Sequence, residues 1–143
     1  ARPAQVVPNT AVALPEITDG GTTFTFRIRP GIFFQDDPVF RGRPRELTAA
    51  DYVYAIKRHY DPKFKSPNLF QLENAGILGL SELRKRLIDE KKPFDYDAEV
   101  EGLKLLDRYT FQVRIKAPAP RFYYLFTDGA VMGAVAREVV EHY

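Results

Sequence analysis

The chain has 143 residues, 45% of them apolar or aromatic, and it contains no cysteine. That length suits one domain with a real core, it holds no run of about eighteen apolar residues to span a membrane, and the missing Cys excludes disulfide and thiol chemistry while fitting a cytosolic or an exported protein equally. Twenty-one Lys and Arg against nineteen Asp and Glu leave a formal charge of +2, too balanced for the strong positive field of a nucleic-acid binder.

Residues 1–21 hold Pro3, Pro8 and Pro15 with few periodic apolar positions and read as an extended lead-in. Ala1-Arg2-Pro3-Ala4-Gln5 lacks the apolar core of a secretory signal, which points to a cleaved or trimmed start. Phe24, Phe26 and Ile28 then alternate with Thr25, Arg27 and Arg29, the period of a half-buried strand, and Pro30-Gly31 stops it. The loop from Gln35 to Glu46 is irregular and charged. Thr48 stands three residues ahead of Asp51, a capping-box-like start to a helix from about Thr48 to Tyr60 with Ala49, Val53, Ile56 and Tyr60 on one face. Asp61-Pro62 ends it, because proline disfavours helical geometry in the residue before it.

Lys63 to Asn68 reads as a connection, Leu69 to Asn74 as a second short helix, and Leu80, Leu83, Leu87 and Ile88 as the apolar face of a third, with Glu82, Arg84, Lys85, Arg86, Asp89 and Glu90 solvated. Phe111, Val113 and Ile115 alternate with Gln112, Arg114 and Lys116, with Leu103 and Leu105 as apolar partners in the preceding strand and Asp107-Arg108-Tyr109 as the joint. Two strands alone are marginal in water, so the strand from Thr23 is the expected third. The fold class expected is α+β, a small antiparallel sheet of about three strands with one face buried under several helices. Pro118 and Pro120 break the sheet, an aromatic helical turn follows through Phe122-Tyr123-Tyr124-Leu125-Phe126, and Arg137 to His142 forms a last helix.

Catalytic chemistry is sparse. Ser66 and Ser81 are the only serines, without a Gly-x-Ser-x-Gly elbow. His59 and His142 are too few for a dedicated zinc site, and Glu138 with His142, one helical turn apart, reads as a surface contact. Asp95-Tyr96-Asp97-Ala98-Glu99 opens like a calcium loop, but Val100 stands where its glycine is needed and Leu106 where its closing glutamate is needed, so these carboxylates read as flanking a turn. Arg41-Gly42-Arg43-Pro44 matches the short core that lays arginines into the DNA minor groove. Asp36, Asp37 and Glu46 flank it inside a folded pattern, which favours an ordinary loop. The rings of Phe122, Tyr123, Tyr124 and Phe126 at helical spacing read as core more readily than as a pocket lining.

Several segments, in order, carry a resemblance. They are Pro15 to Gly21 before the first strand; Arg29-Pro30-Gly31 with Phe33-Phe34; Thr48-Ala49-Ala50-Asp51-Tyr52-Val53; Ala55-Ile56-Lys57-Arg58 with Asp61-Pro62; Gly102-Leu103 through Asp107 to Thr110; Pro118 to Phe122; and Ala136 to Glu141. Together they resemble the extracellular solute-binding proteins of bacterial peptide importers, the oligopeptide, dipeptide and nickel-binding class. Proteins of that family are several times longer, with two lobes that close over a ligand. The resemblance implies that residues 22–143 are one α+β subdomain of the first lobe of a type II periplasmic-binding-protein fold. It implies a periplasmic receptor, not an enzyme, monomeric and free of cofactor, that hands a peptide or related solute to a membrane ABC permease. No residue matches a motif that transfers a ligand contact, so the ligand-binding residues are unassigned and no metal or catalytic residue is expected. A scaffold or partner-docking role without its own ligand site is the alternative. The chain departs from the family pattern at Asp37, which replaces the usual glycine, and in extra residues before the Thr-Ala-x-Asp helix.

Overall fold

Four antiparallel strands form one sheet, its inner strands set by apolar–polar alternation, with helices over its apolar face. The structure, a computed structural model, describes residues 15–35, 37–118 and 134–142. The strands are β1 (Glu16–Thr18), β2 (Thr23–Arg27), β3 (Leu103–Asp107) and β4 (Thr110–Arg114), and the helices are α1 (Ala49–Tyr60), α2 (Leu69–Ala75), α3 (Leu80–Asp89) and α4 (Arg137–His142). The strand order is β1-β2-β4-β3. β4 therefore sits inside the sheet, between β2 and its own hairpin partner. The sheet has four strands where the pattern predicts about three, because Glu16, Ile17 and Thr18 in the extended lead-in pair with Thr25, Phe24 and Thr23. All three residues of β1 are exposed, so burial gave its sequence no apolar alternation to show. The predicted aromatic turn at residues 122–126 lies outside the described residues.

The core face is a stack of rings. Phe24 faces Val113 and Phe26 faces Phe111 across the β2–β4 pair, and the Phe26 and Phe111 rings stack at 5.0 Å. Tyr52 of α1 stacks on Phe111 at 5.6 Å, which seats the helix on the middle of the sheet. Phe26, Phe111 and Val113 are essentially inaccessible, each removing apolar area from water at roughly 25 cal/mol per Å².

α1 begins as predicted: the Asp51 carboxylate accepts the Thr48 backbone N–H at 2.8 Å. It ends at Asp61, extended at φ −76° and ψ 118° before Pro62. The predicted one-sided stripe is broader than expected, since Asp51, Lys57 and His59 are buried along with Tyr52 and Tyr54, while Val53 is only half-buried. In α3 the buried residues are Leu80, Leu83 and Leu87, but Ile88 is 45% exposed. Arg84, expected in water, instead buries its Nε, which has no hydrogen-bond partner among the described residues.

Gly102 explains the glycine at the head of the hairpin. Its N–H donates to the Leu78 carbonyl at 2.8 Å, and the Leu78 N–H donates to the Arg114 carbonyl at 3.0 Å. A Cβ at position 102 would stand 2.3 Å from Leu78 N and 2.8 Å from Arg114 O. Those neighbours are backbone atoms and cannot swing aside. Asp107 closes the other end of β3 by accepting the Tyr109 N–H at 2.9 Å. Gly102→Ala is expected to cost about 2–4 kcal/mol through overpacking and two strained backbone bonds. A urea titration with unchanged slope and a lowered midpoint checks this.

Candidate functional site

A groove of about 950 Å³ lies between α1, the segment 95–101, β3 and the start of α4. Apolar patterning makes its floor and ion pairing makes its end. Ala50 and Val53 of α1 face Leu103, Leu105 and Leu106 across it. β3 was expected to turn Leu103 and Leu105 into the core, yet only Leu103 is buried, and Leu105 is 51% and Leu106 50% exposed.

One end of the groove is closed by a chain of charges. The Arg45 guanidinium donates to both Asp51 oxygens, at 2.5 and 3.1 Å, and through Nε to Glu138 at 2.7 Å. Burial opposes the Arg45 charge, but hydrogen bonds from Asp51 and Glu138 outweigh it and hold its pKa above the ordinary value. Glu138 is likewise penalised by burial and yet is held below the carboxylate range by Arg45. Beyond the surface contact that the Glu138–His142 spacing suggests, the Glu138 carboxylate accepts from Arg45.

Lys57 ties down the segment 95–101. Its side chain is buried, and its Nζ donates to the carbonyls of Tyr96 at 2.9 Å and Ala98 at 2.8 Å. Burial pushes its pKa below the usual lysine value, against the pull of Asp97 and Asp95. Arg137 pairs with Asp97 at 2.9 Å and lies over the rings of Tyr54 and Tyr96 at 5.6 and 5.7 Å. Asp95 accepts the Asp97 N–H at 2.9 Å, a turn of the kind expected for these carboxylates. Periodicity gave no sign of Lys57 as a buried clip, because lysine at this spacing ordinarily reads as solvated.

The remaining candidates have local duties. His59 Nδ1 and Ser66 Oγ are 2.5 Å apart, and Ser66 Oγ also accepts the Asn68 N–H at 3.1 Å, which shapes the entry to α2. Ser81 Oγ donates to Glu73 at 3.2 Å. Among the described residues no group of three or more His, Cys, Asp or Glu is placed to hold a metal. Arg41 and Arg43 are exposed on a turn after Pro38–Phe40, with Arg41 in the left-handed region at φ 54° and Phe40 buried beneath. Asp37 caps that turn by accepting the Val39 N–H at 3.0 Å.

Glu46 fastens the same loop to the hairpin, accepting from Gly31 N–H, Arg108 Nη2 and Tyr109 Oη, each at 2.9 Å. The Gly31 amide first, then Arg108 and Tyr109, lower its pKa to about 2. A folded pKa below the unfolded value means that this stabilisation is complete above about pH 4.5 and is lost as pH falls toward 2. Glu46→Gln is expected to flatten the acid limb of stability over that window, read from urea midpoints at successive pH values. Asp51→Asn, which removes both the helix cap and one partner of a half-buried guanidinium, is expected to cost about 2–3 kcal/mol at neutral pH in the same assay.

The family described as "Bacterial extracellular solute-binding proteins, family 5 Middle" matches residues 5–134. The periplasmic oligopeptide-binding protein OppA of Salmonella typhimurium is 32% identical over 84% of this chain, which spans 19% of that protein. The probable deoxycholate-binding periplasmic protein YgiS of Escherichia coli is 33% identical over 75% of the chain and 17% of its own length. Among solved structures, Haemophilus influenzae OppA in complex with RPPGFSPFR superposes with a TM-score of 0.67 at 30% identity, covering 92% of this chain and 23% of that one. The chain spans about a fifth of the length of these relatives.

Proposed function

We propose, from the premise that the chain belongs to the bacterial extracellular solute-binding proteins of family 5, that it is part of a periplasmic receptor delivering peptides to an ABC importer. The observation that carries this reading is the family match over residues 5–134, joined to 32% identity with a protein named for oligopeptide binding. Residues 22–143 act as one α+β subdomain and residues 1–21 as its lead-in. The whole receptor works as a monomer, closes two lobes over its ligand by hinge motion, docks on a membrane permease and performs no chemistry of its own. No helix among the described residues is long and apolar enough to cross a membrane, which suits a receptor that relies on a separate permease.

Peptide is favoured over a steroid because oligopeptide-binding names recur among the relatives, in Salmonella typhimurium and Escherichia coli alike. A peptide in a closed cleft is buried by walls on both sides. This chain offers part of one wall, and losing about 3 kcal/mol of contacts weakens binding about a hundredfold.

The test is native mass spectrometry of the full-length receptor taken from the extracytoplasmic fraction, with sequencing of what it carries. Co-purified peptides of varied sequence are expected. A single steroid-like mass, or a receptor that stays empty when offered a peptide library, would overturn the reading.

A further inference from the structure

Residues 94–100 keep the period of a strand without a strand's bonds. Phe94 and Val100 are buried, Tyr96 and Ala98 pack against the core, and the acidic residues Asp95, Asp97 and Glu99 that alternate with them are exposed, as in an extended chain lying on a packed surface. Among the described residues, however, 95–99 makes no main-chain hydrogen bond to the main chain of another segment. Side chains hold its middle. Lys57 Nζ donates to the Tyr96 and Ala98 carbonyls, Tyr96 Oη donates to Asp61 at 2.6 Å, and Arg137 of α4 donates to Asp97 at 2.9 Å.

Ends and middle are held by different forces. Phe94 and Val100 are fixed by buried apolar area, and releasing either would return that area to water. Beneath the middle, the Lys57 ammonium bonds two neutral carbonyls and, among the described residues, no carboxylate, so much of the cost of taking its charge out of water stays uncompensated. Hydration of Lys57 therefore favours lifting the segment, and the bonds to Asp61 and Arg137 favour keeping it down. A segment with few main-chain bonds and a hydratable charge beneath it opens at less cost than the whole domain. Arg137 grips it twice, at the Asp97 carboxylate and over the Tyr96 ring, and α4 is itself fixed to α1 through Glu138, Arg45 and Asp51.

We propose that residues 95–99 form a strap that lifts in one step between the anchors Phe94 and Val100 and exposes the Lys57 ammonium, with Tyr96–Asp61 and Arg137–Asp97 as its two latches. The closed form is the ground state. Through the second latch the strap answers to the position of α4, a helix far from it in sequence. Both latches are internal to the subdomain and independent of which solute the receptor carries.

The test is timed acetylation of the full-length receptor with dilute N-hydroxysuccinimide acetate, read by peptide mass spectrometry, beside hydrogen exchange of the β2 and β4 amides. When acetylation is slower than reclosing, the Lys57 rate reports the open fraction. Lys57 is expected to react far more slowly than free Nα-acetyl-lysine amide in the same tube, yet faster than the global unfolding measured by the sheet amides allows. Tyr96→Phe removes a bond to a carboxylate, and Arg137→Gln removes an ion pair and two ring contacts; each should speed Lys57 about tenfold. Because both latches break in one event, the double variant should reach about a hundredfold, with the sheet amides unchanged. Asp97→Asn, on the exposed side of the second latch, should speed Lys57 up to severalfold. Arg137→Gln and Asp97→Asn rates equal to the parent's, or a double variant no faster than Tyr96→Phe, would overturn the two-latch strap, since the segment would then fray from its Asp61 side alone. Lys57 acetylation that tracks the sheet amides in every variant would overturn it in favour of global unfolding. A parent Lys57 as fast as the free lysine would overturn it outright, because no closed form would then exist.

Discussion

A single carboxylate organises much of this fold. Asp51 is 3% exposed, and an ionised carboxylate so placed is stable only when its oxygens are matched by donors. They are matched by the Thr48 N–H and by two nitrogens of Arg45. Arg45 in turn holds Glu138 at the start of α4 and donates to the Glu46 carbonyl. One charge thereby caps α1, fixes the loop that precedes it and joins a helix 93 residues away in sequence from Arg45. Such pairs add less net stability than their distances suggest, since desolvation offsets the attraction. Their contribution here is to specify one arrangement of the three segments, whose apolar residues Leu47, Ala49 and Val139 share the same core.

The groove exists because the ring stack and the charge chain act at different places. Tyr52 on Phe111 draws α1 to the middle of the sheet, while Arg45 and Lys57 hold α4 and the segment 95–101 at the periphery. Between them lies the groove, with Leu105 and Leu106 half-exposed along β3. Lys57 spends a buried ammonium on two backbone carbonyls, which keeps an otherwise irregular acidic segment in one position. A wall built in this way is preformed, and a preformed wall lowers the ordering cost of whatever it binds.

Membership of family 5 is consistent with this division of labour. The motif residues that carry the resemblance are structural in their physical roles: Gly102 admits the Leu78 backbone, Asp107 closes the hairpin turn, and Thr48 with Asp51 start α1. Each of these contacts has a structural duty within the subdomain. A motif can therefore mark the family and still be silent about which solute is bound: relatives about a third identical to this chain over the matched region carry names for oligopeptide and for deoxycholate binding.

Local rules determined most of the secondary structure from sequence alone. Alternation at Phe24, Phe26 and Ile28 and at Phe111, Val113 and Ile115, the box at Thr48 and Asp51, and the stop at Asp61-Pro62 all act within a few residues, and each element stands where those rules place it. β1 escaped notice because an exposed edge strand of three residues carries no burial pattern. The groove was not legible at all. Whether Leu105 is covered, whether Lys57 is buried, and whether Glu138 meets Arg45 depend on where α1 and α4 come to rest on the sheet. That is set by pairing between residues far apart in the chain, such as Tyr52 with Phe111 and Arg45 with Glu138, and spacing along a sequence carries no record of such distances.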